Sequence, residues 1–335
     1  MKTAQLFIIL LITLIFLIVA LWGIDFSTVF QTILETDWIW FFIVQLCYVM
    51  IHTVRSVRLW LLVEKKASFL SIFSINTIGF LAINTIPLRL GEFVRPYLLM
   101  TKEDIPFAQG MAAIILGRWL DLCMLLLLLL GLGFLVEIPE QGLVFSGVDI
   151  ISAGQHFVST SVLLGSVLGM GLVILPEHFL FFLKKIPLGE KVFSFVVSFR
   201  GGMRTLFANP LLAIQLFSLS LVIWSLIVGS VYFALRAFPD IPESLPMAWS
   251  TWTITSIAMI VAPTPGFIGV YELFCSTALL LWEIPKVLGT SFALALHGSQ
   301  LFFTLFIGAI FLLWEGISLR SLISQSQEYK FTDPP

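Results

Sequence analysis

The chain has 335 residues and a formal charge of −2, with 59% hydrophobic and only 11% charged residues and a mean hydropathy of +1.04. Soluble domains carry about 25% charged residues. This composition therefore excludes a soluble enzyme or a nucleic-acid binder and points to an all-α polytopic membrane protein.

The apolar run 4–22 is longer than the hydrophobic region of a signal peptide, and no small-x-small cleavage site follows it. It is read as a first span reaching about Ile24. The next loop carries Asp25, Glu35 and Asp37 but no basic residue. A second span, 38–54, ends in Arg55, Arg58, Lys65 and Lys66. Because Lys and Arg accumulate on the cytoplasmic side, this loop and the N-terminus are expected in the cytoplasm.

Residues 67–88 are long enough to cross, yet they carry Ser68, Ser71, Ser74, Asn76, Thr77, Asn84 and Thr85. A crossing here would invert every later loop. Glu137, Glu140 and Asp149 would become cytoplasmic, while Lys184, Lys185, Lys191, Arg200 and Arg204 would become external. A re-entrant hairpin that turns near Pro87 and returns through 93–100 keeps the charge bias at each loop. Such irregular backbone is tolerated at membrane depth only when it is buried in protein or lines a wet cavity.

A third span, 107–136, contains Arg118 and Asp121, three apart and so on one helix face. They read either as a structural ion pair or as part of a cavity. An acidic external loop, 137–155, precedes a fourth span, 157–175. Residues 176–209 alternate Phe and Val with basic residues, the pattern of a helix lying in the inner interface. A fifth span, 210–235, follows.

Two short apolar pieces, 246–262 and 267–282, are joined by Pro263-Thr264-Pro265-Gly266 and form either two short spans or a second hairpin. The last span, 287–315, contains His297 and leads to a polar cytoplasmic tail. The expected fold is about six full spans plus two Pro/Gly-broken re-entrant hairpins. They form one transmembrane domain, 1–320, with halves 1–136 and 157–315 related as an inverted repeat and a tail at 321–335. Cys47, Cys123 and Cys275 stand apart in apolar runs and read as small buried hydrophobes.

The broken segments resemble each other. Pro87 is followed by Gly91 and Glu92, and Pro265 by Gly269 and Glu272. Paired Pro/Gly interruptions in two halves mark the binding site of many transporters, and free N–H groups at broken helix ends favour anions. Placed at the membrane centre, Arg89, Glu92 and Arg95 would together cost roughly 8–10 kcal/mol. They therefore sit at the water interface or line a polar cavity.

In the cavity reading, Arg89 and Arg95 clamp a phosphate, because guanidinium offers a planar fork that stays charged. Glu92 holds an arginine or carries a proton, and Asn84 stands at the tip. Gly91, Gly266 and Gly269 permit tight turns and close backbone approach. Glu272, with no obvious local partner, is the better proton candidate, because burial raises a carboxyl pKa. Arg95 has interface snorkelling as its alternative. Arg55, Arg118, Asp121 and His297 are secondary candidates, His297 being equally an interhelical hydrogen-bonder.

In order, Asn84…Pro87-x-Arg89-x-Gly91-Glu92-x-x-Arg95, Arg118-x-x-Asp121 and Pro263-Thr264-Pro265-Gly266-x-x-Gly269-x-x-Glu272 resemble the membrane region of lysylphosphatidylglycerol synthases and of the stand-alone flippase-like proteins related to it. The resemblance covers roughly residues 5–320. It implies lipid translocation or handling in a bacterial or archaeal cytoplasmic membrane. It also implies no aminoacyl transfer, since no soluble transferase domain follows the last span. Phe267 departs from the family pattern, which usually has a second glycine there.

The leading expectation is a flippase or transporter of an anionic phospholipid or a lipid-linked isoprenoid- or glycosyl-phosphate. The alternatives are an integral-membrane lipid-phosphate transferase or a non-transporting subunit beside a glycosyltransferase or lipid-synthesis enzyme. No Walker loop, metal cluster, Asp-rich phosphate motif or Ser/His/Asp set stands in the sequence, so no cofactor is expected.

Overall fold

A computed structural model describes residues 3–86, 91–135, 208–262 and 264–318, with isolated positions between 144 and 201. Ten helices follow one another among these residues. They are α1 (Thr3–Leu21), α2 (Phe26–Leu34), α3 (Trp38–Leu62), α4 (Phe69–Thr85), α5 (Val94–Glu103), α6 (Phe107–Leu135), α7 (Pro210–Arg236), α8 (Leu245–Val261), α9 (Val270–Leu280) and α10 (Lys286–Trp314). A two-residue antiparallel ladder, β1 (Val144–Phe145) with β2 (Val148–Asp149), lies in the expected external loop.

Four helices, α3, α6, α7 and α10, are long and apolar enough to cross a membrane, and the bent pair α1–α2 makes a fifth if counted as one span. Phe42, Leu211, Phe302 and Leu313 are all more than 60% exposed. Apolar surface on that scale belongs in lipid rather than water, so the chain is an integral membrane protein. The expected fourth span, 157–175, and the interfacial segment 176–209 lie almost wholly outside the described residues. So does the tail 321–335.

Two local expectations are corrected. Residues 26–34, read as loop, form α2. Phe26, Val29, Phe30, Ile33 and Leu34 fall at helical spacing, and Asp25 caps the helix by accepting the Ser27 N–H at 3.0 Å. The axis turns by 79° between α1 and α2. In addition, α3 does not end before Arg55 but continues two turns to Leu62, which places Arg55 and Arg58 inside the bundle. For Arg58, a carboxylate on α6 and a hydroxyl on α7 compensate its burial.

Local chemistry sets the breaks. Ser68 opens α4 by accepting the Ser71 N–H. The helix stops at Ile86, whose ψ of 120° is the extended state imposed on a residue before proline. Ala262 plays the same part before Pro263 at the end of α8. In α5, Pro96 lies in the first turn, where its missing N–H costs nothing.

The arms of each broken segment return to the end from which they started. Ser71 at the start of α4 donates to Glu103 at the end of α5, and Lys102 pairs with Glu315 just past α10. At the opposite end, the Trp282 indole after α9 donates to Ser250 in the first turns of α8 at 2.8 Å. Lys286 there donates to the Trp22 carbonyl. The two pairs α4–α5 and α8–α9 thus enter from opposite ends, and the 3₁₀ turn Pro265–Phe267 between α8 and α9 rests against α4. One core cluster, including Phe41, Ile227, Phe238, Tyr271 and Phe292, joins α3, α7, α9 and α10. A second, including Ile72, Ile75, Leu98 and Leu99, holds α4 against α5.

Candidate functional site

Charged groups from α3, α5 and α6, and from Glu92 just before α5, converge on the interior beside α4. The best-built contact is a fork. Arg58 donates through Nη1 to Asp121 Oδ1 at 2.7 Å and through Nη2 to Oδ2 at 3.1 Å, and Nη1 also donates to Ser220 of α7 at 2.9 Å. Asp121 further accepts from the Trp224 indole at 3.4 Å. Glu92 bridges the other pair, taking Arg95 on one oxygen and Arg118 on the other. Arg118 reaches Asp121 only at 3.9 Å.

The cation Arg55 has no carboxylate partner among the described residues. Its guanidinium lies 4.8 Å from the Phe80 ring centroid, and that of Arg95 lies 5.1 Å from the same ring. Such cation–π contacts are worth about 0.5–2 kcal/mol, well short of an ion pair in a dry site.

The residues between these groups are shaped to admit them. A Cβ on Gly79 would fall 2.1 Å from Arg95 Cγ, so the α4 surface is hollowed where the arginine lies. At Gly91 a Cβ would meet the Ala82 carbonyl carbon at 2.3 Å, so the return arm touches α4 backbone to backbone. The partly open space between them is about 30 Å³, lined by Arg55, Arg58, Asn76, Arg95, Arg118 and Asp121 among others. Asn76 turns its amide to Ser56 at 3.1 Å.

The second tip carries a separate cluster. Gly269 takes φ +83° and lies so close to α1 that a Cβ would stand 2.8 Å from the Leu17 nitrogen. Glu272 accepts the Gly269 N–H at 2.6 Å and meets His297 Nδ1 at 2.6 Å. Glu272 has no local partner in sequence, and α10 supplies a distant one, 25 residues on. Phe267 stands at φ +58°, a left-handed conformation costly for an aromatic residue.

Of the sequence candidates, Arg55, Glu92, Arg95, Arg118 and Asp121 come together in one cluster, and Gly266, Gly269, Glu272 and His297 in another. Asn84 sits where the tips meet. Its carbonyl would stand 3.4 Å from a Cβ on Gly266, while its amide is bonded to the Phe80 carbonyl at 2.9 Å. Arg89 lies outside the described residues. The pair of Arg118 with Asp121 is present at 3.9 Å, and each also has a closer partner, Glu92 for Arg118 and Arg58 for Asp121. Sequence reasoning took Arg58 for a topology signal. Its i,i+3 spacing from Arg55, with both on the face of a helix that carries His52, was the signal for more.

Residues 6–308 match the model of the family described as the lysylphosphatidylglycerol synthase TM region. No curated protein matches the chain, and no solved structure does.

Proposed function

Because the chain belongs to the lysylphosphatidylglycerol synthase TM-region family, we propose that it moves an anionic lipid between the leaflets of a cytoplasmic membrane. The cargo is an anionic phospholipid or a lipid-linked isoprenoid- or glycosyl-phosphate. The carrying observation is the imbalance of charge around the cavity, where among the described residues the guanidinium groups of Arg55, Arg58 and Arg95, with the half-exposed Arg118 at its edge, face two carboxylates, Glu92 and Asp121. Uncompensated charge at membrane depth is expensive, and a phosphate headgroup supplies the missing anion. Guanidinium forks suit phosphate geometry.

The same reading gives the broken helices a role. The α4 helix is about 25 Å long and α5 about 15 Å at 1.5 Å per residue, both short of a hydrocarbon core of about 30 Å. We therefore take α4–α5 and α8–α9 as re-entrant hairpins of an inverted repeat whose tips meet inside the membrane. Lys65, Lys66 and Lys102 at the end of α3 and the base of α4–α5 support a cytoplasmic side for that end, and in this reading both termini share it. A space of 30 Å³ holds a water rather than a headgroup, so this conformation is closed, and loading requires the arms to separate. An enzyme of lipid or glycan synthesis would supply or consume the cargo.

The test is leaflet transfer of a fluorescent phosphatidylglycerol or isoprenoid-phosphate tracer in proteoliposomes. Arg55→Gln removes the cation that has no carboxylate to leave stranded. Transfer falls at least tenfold while the purified protein keeps its melting temperature. Unchanged transfer of both tracers by this variant overturns the proposal.

A further inference from the structure

Glu272 and His297 are the most deeply buried ion-pairing side chains among the described residues, their side chains 6% and 4% exposed. Besides each other they touch little that titrates. Tyr271 stacks on the imidazole with centroids 4.2 Å apart and planes 9° from parallel, and its hydroxyl accepts from Gln300 at 3.1 Å. The other titratable neighbours are Cys275 on α9 and Tyr48 on α3. Trp252 on α8 packs on Tyr271, and α1 brings Thr13, Phe16 and Leu17 to Gly269. Among the described residues no second carboxylate and no Lys or Arg contacts the pair.

The charge arithmetic of such a pair is binary. An ionised carboxylate beside a neutral imidazole leaves one net negative charge in a dry site. One proton, on either group, removes it. Burial of a single uncompensated charge is costly whereas a paired one is tolerated, so the pair exchanges one proton as a unit. The site is also mechanically placed. Glu272 caps the first turn of α9 through Gly269, at the tip that rests on α4, while His297 ties that turn to α10.

Beside the arginine cavity lies His52, 2% exposed, with no hydrogen-bond partner for Nδ1. It lies edge-on to Phe80, 5.2 Å between centroids, and 5.6 Å from Phe303 on α10. Phe80 is the ring beneath Arg55 and Arg95.

We propose that the Glu272–His297 pair is a proton-binding site that couples lipid translocation to proton movement across the membrane. The pair takes one proton from water on one side, becomes neutral, and releases that proton to the other side as the tips rearrange. This inference rests on the translocation reading of the arginine cavity.

The test uses the full chain in phosphatidylglycerol vesicles with a fluorescent phosphatidylglycerol tracer and a pH gradient imposed in either direction. Reversing the gradient changes the initial rate of transfer at least tenfold in wild type. His297→Gln keeps an amide beside Glu272 and abolishes the gradient response. In parallel, infrared difference spectra of purified protein on acidification show a carboxyl or imidazolium band that disappears in Glu272→Gln and His297→Gln. Equal rates in both gradients overturn the coupling even if the tracer moves. A tracer that moves in neither gradient counts against the translocation reading, and the infrared titration then decides the proton site alone: a band unchanged in both variants overturns it.

Discussion

Replacing Arg58 by methionine removes the fork on Asp121 while keeping the aliphatic stem. Arg58 is 6% exposed and donates two hydrogen bonds to the carboxylate at 2.7 and 3.1 Å. Breaking a buried pair by deleting one partner costs about 3–5 kcal/mol, because the other charge is left behind. Asp121 would retain the Trp224 indole at 3.4 Å and the more distant Arg118 at 3.9 Å, so the lower end, about 3 kcal/mol, is expected. At about 2 °C per kcal/mol for a chain of this size, the melting temperature in detergent falls by about 6 °C. Asp121→Leu alone strands Arg58 and costs a similar amount. The Arg58→Met/Asp121→Leu double variant carries neither charge and returns to within about 1 kcal/mol of wild type, since well-packed apolar pairs commonly replace buried ion pairs at little cost. The cycle therefore gives a coupling of about 5 kcal/mol. Single losses that simply add in the double variant would refute the fork as the principal partner of Asp121.

Two further outcomes follow from glycine geometry and from the charges at the cytoplasmic end. Gly91→Ala drives a Cβ into the Ala82 backbone at 2.3 Å and costs about 2 kcal/mol or more, whereas Gly298→Ala on α10, with nothing within 4 Å, is neutral or stabilising by up to about 1 kcal/mol in the same thermal unfolding assay. Glu315, just past the last span, feels burial that raises its carboxyl value, but hydrogen bonds from Lys102 and Ser74 prevail and hold it below the ordinary 4.5. Its folded value is lowered, so its contribution is present above the unfolded value and is lost as pH falls through the folded one. Melting temperatures measured from neutral pH down to about pH 3 lose less in Glu315→Gln than in wild type.

The membrane class, the long spans and the existence of two broken segments were legible because each rests on local signals: apolar length, the residue before proline, and the side on which Lys and Arg collect. The positions of Pro87 and Pro263 located the helix ends to within a residue. Partnership was not legible. Arg118 and Asp121 at i,i+3 look like a pair in sequence, yet each finds its better partner on another element, Glu92 and Arg58, separated by 26 and 63 residues. Glu272 looked solitary because His297 lies 25 residues downstream on a different helix. Helix α2 was missed because three acidic residues in the 25–37 stretch outweighed an apolar face only five residues wide.

The two clusters explain why the tips must touch. The arginine cavity has surplus positive charge and the Glu272–His297 pair, once deprotonated, has surplus negative charge; neither state is comfortable in lipid. If the clusters were independent, nothing would require the α4 end and the 3₁₀ turn to pack backbone against backbone at Asn84 and Gly266. The Asn84 carbonyl and Gly266 lie within van der Waals reach of each other, so a displacement of one tip is felt at the other. Close-packed interiors behave in this way, having discrete arrangements in place of soft deformation. On the proposed translocation reading, an anion entering the cavity parts α4 from α5, and parting them moves the surface on which the second tip rests.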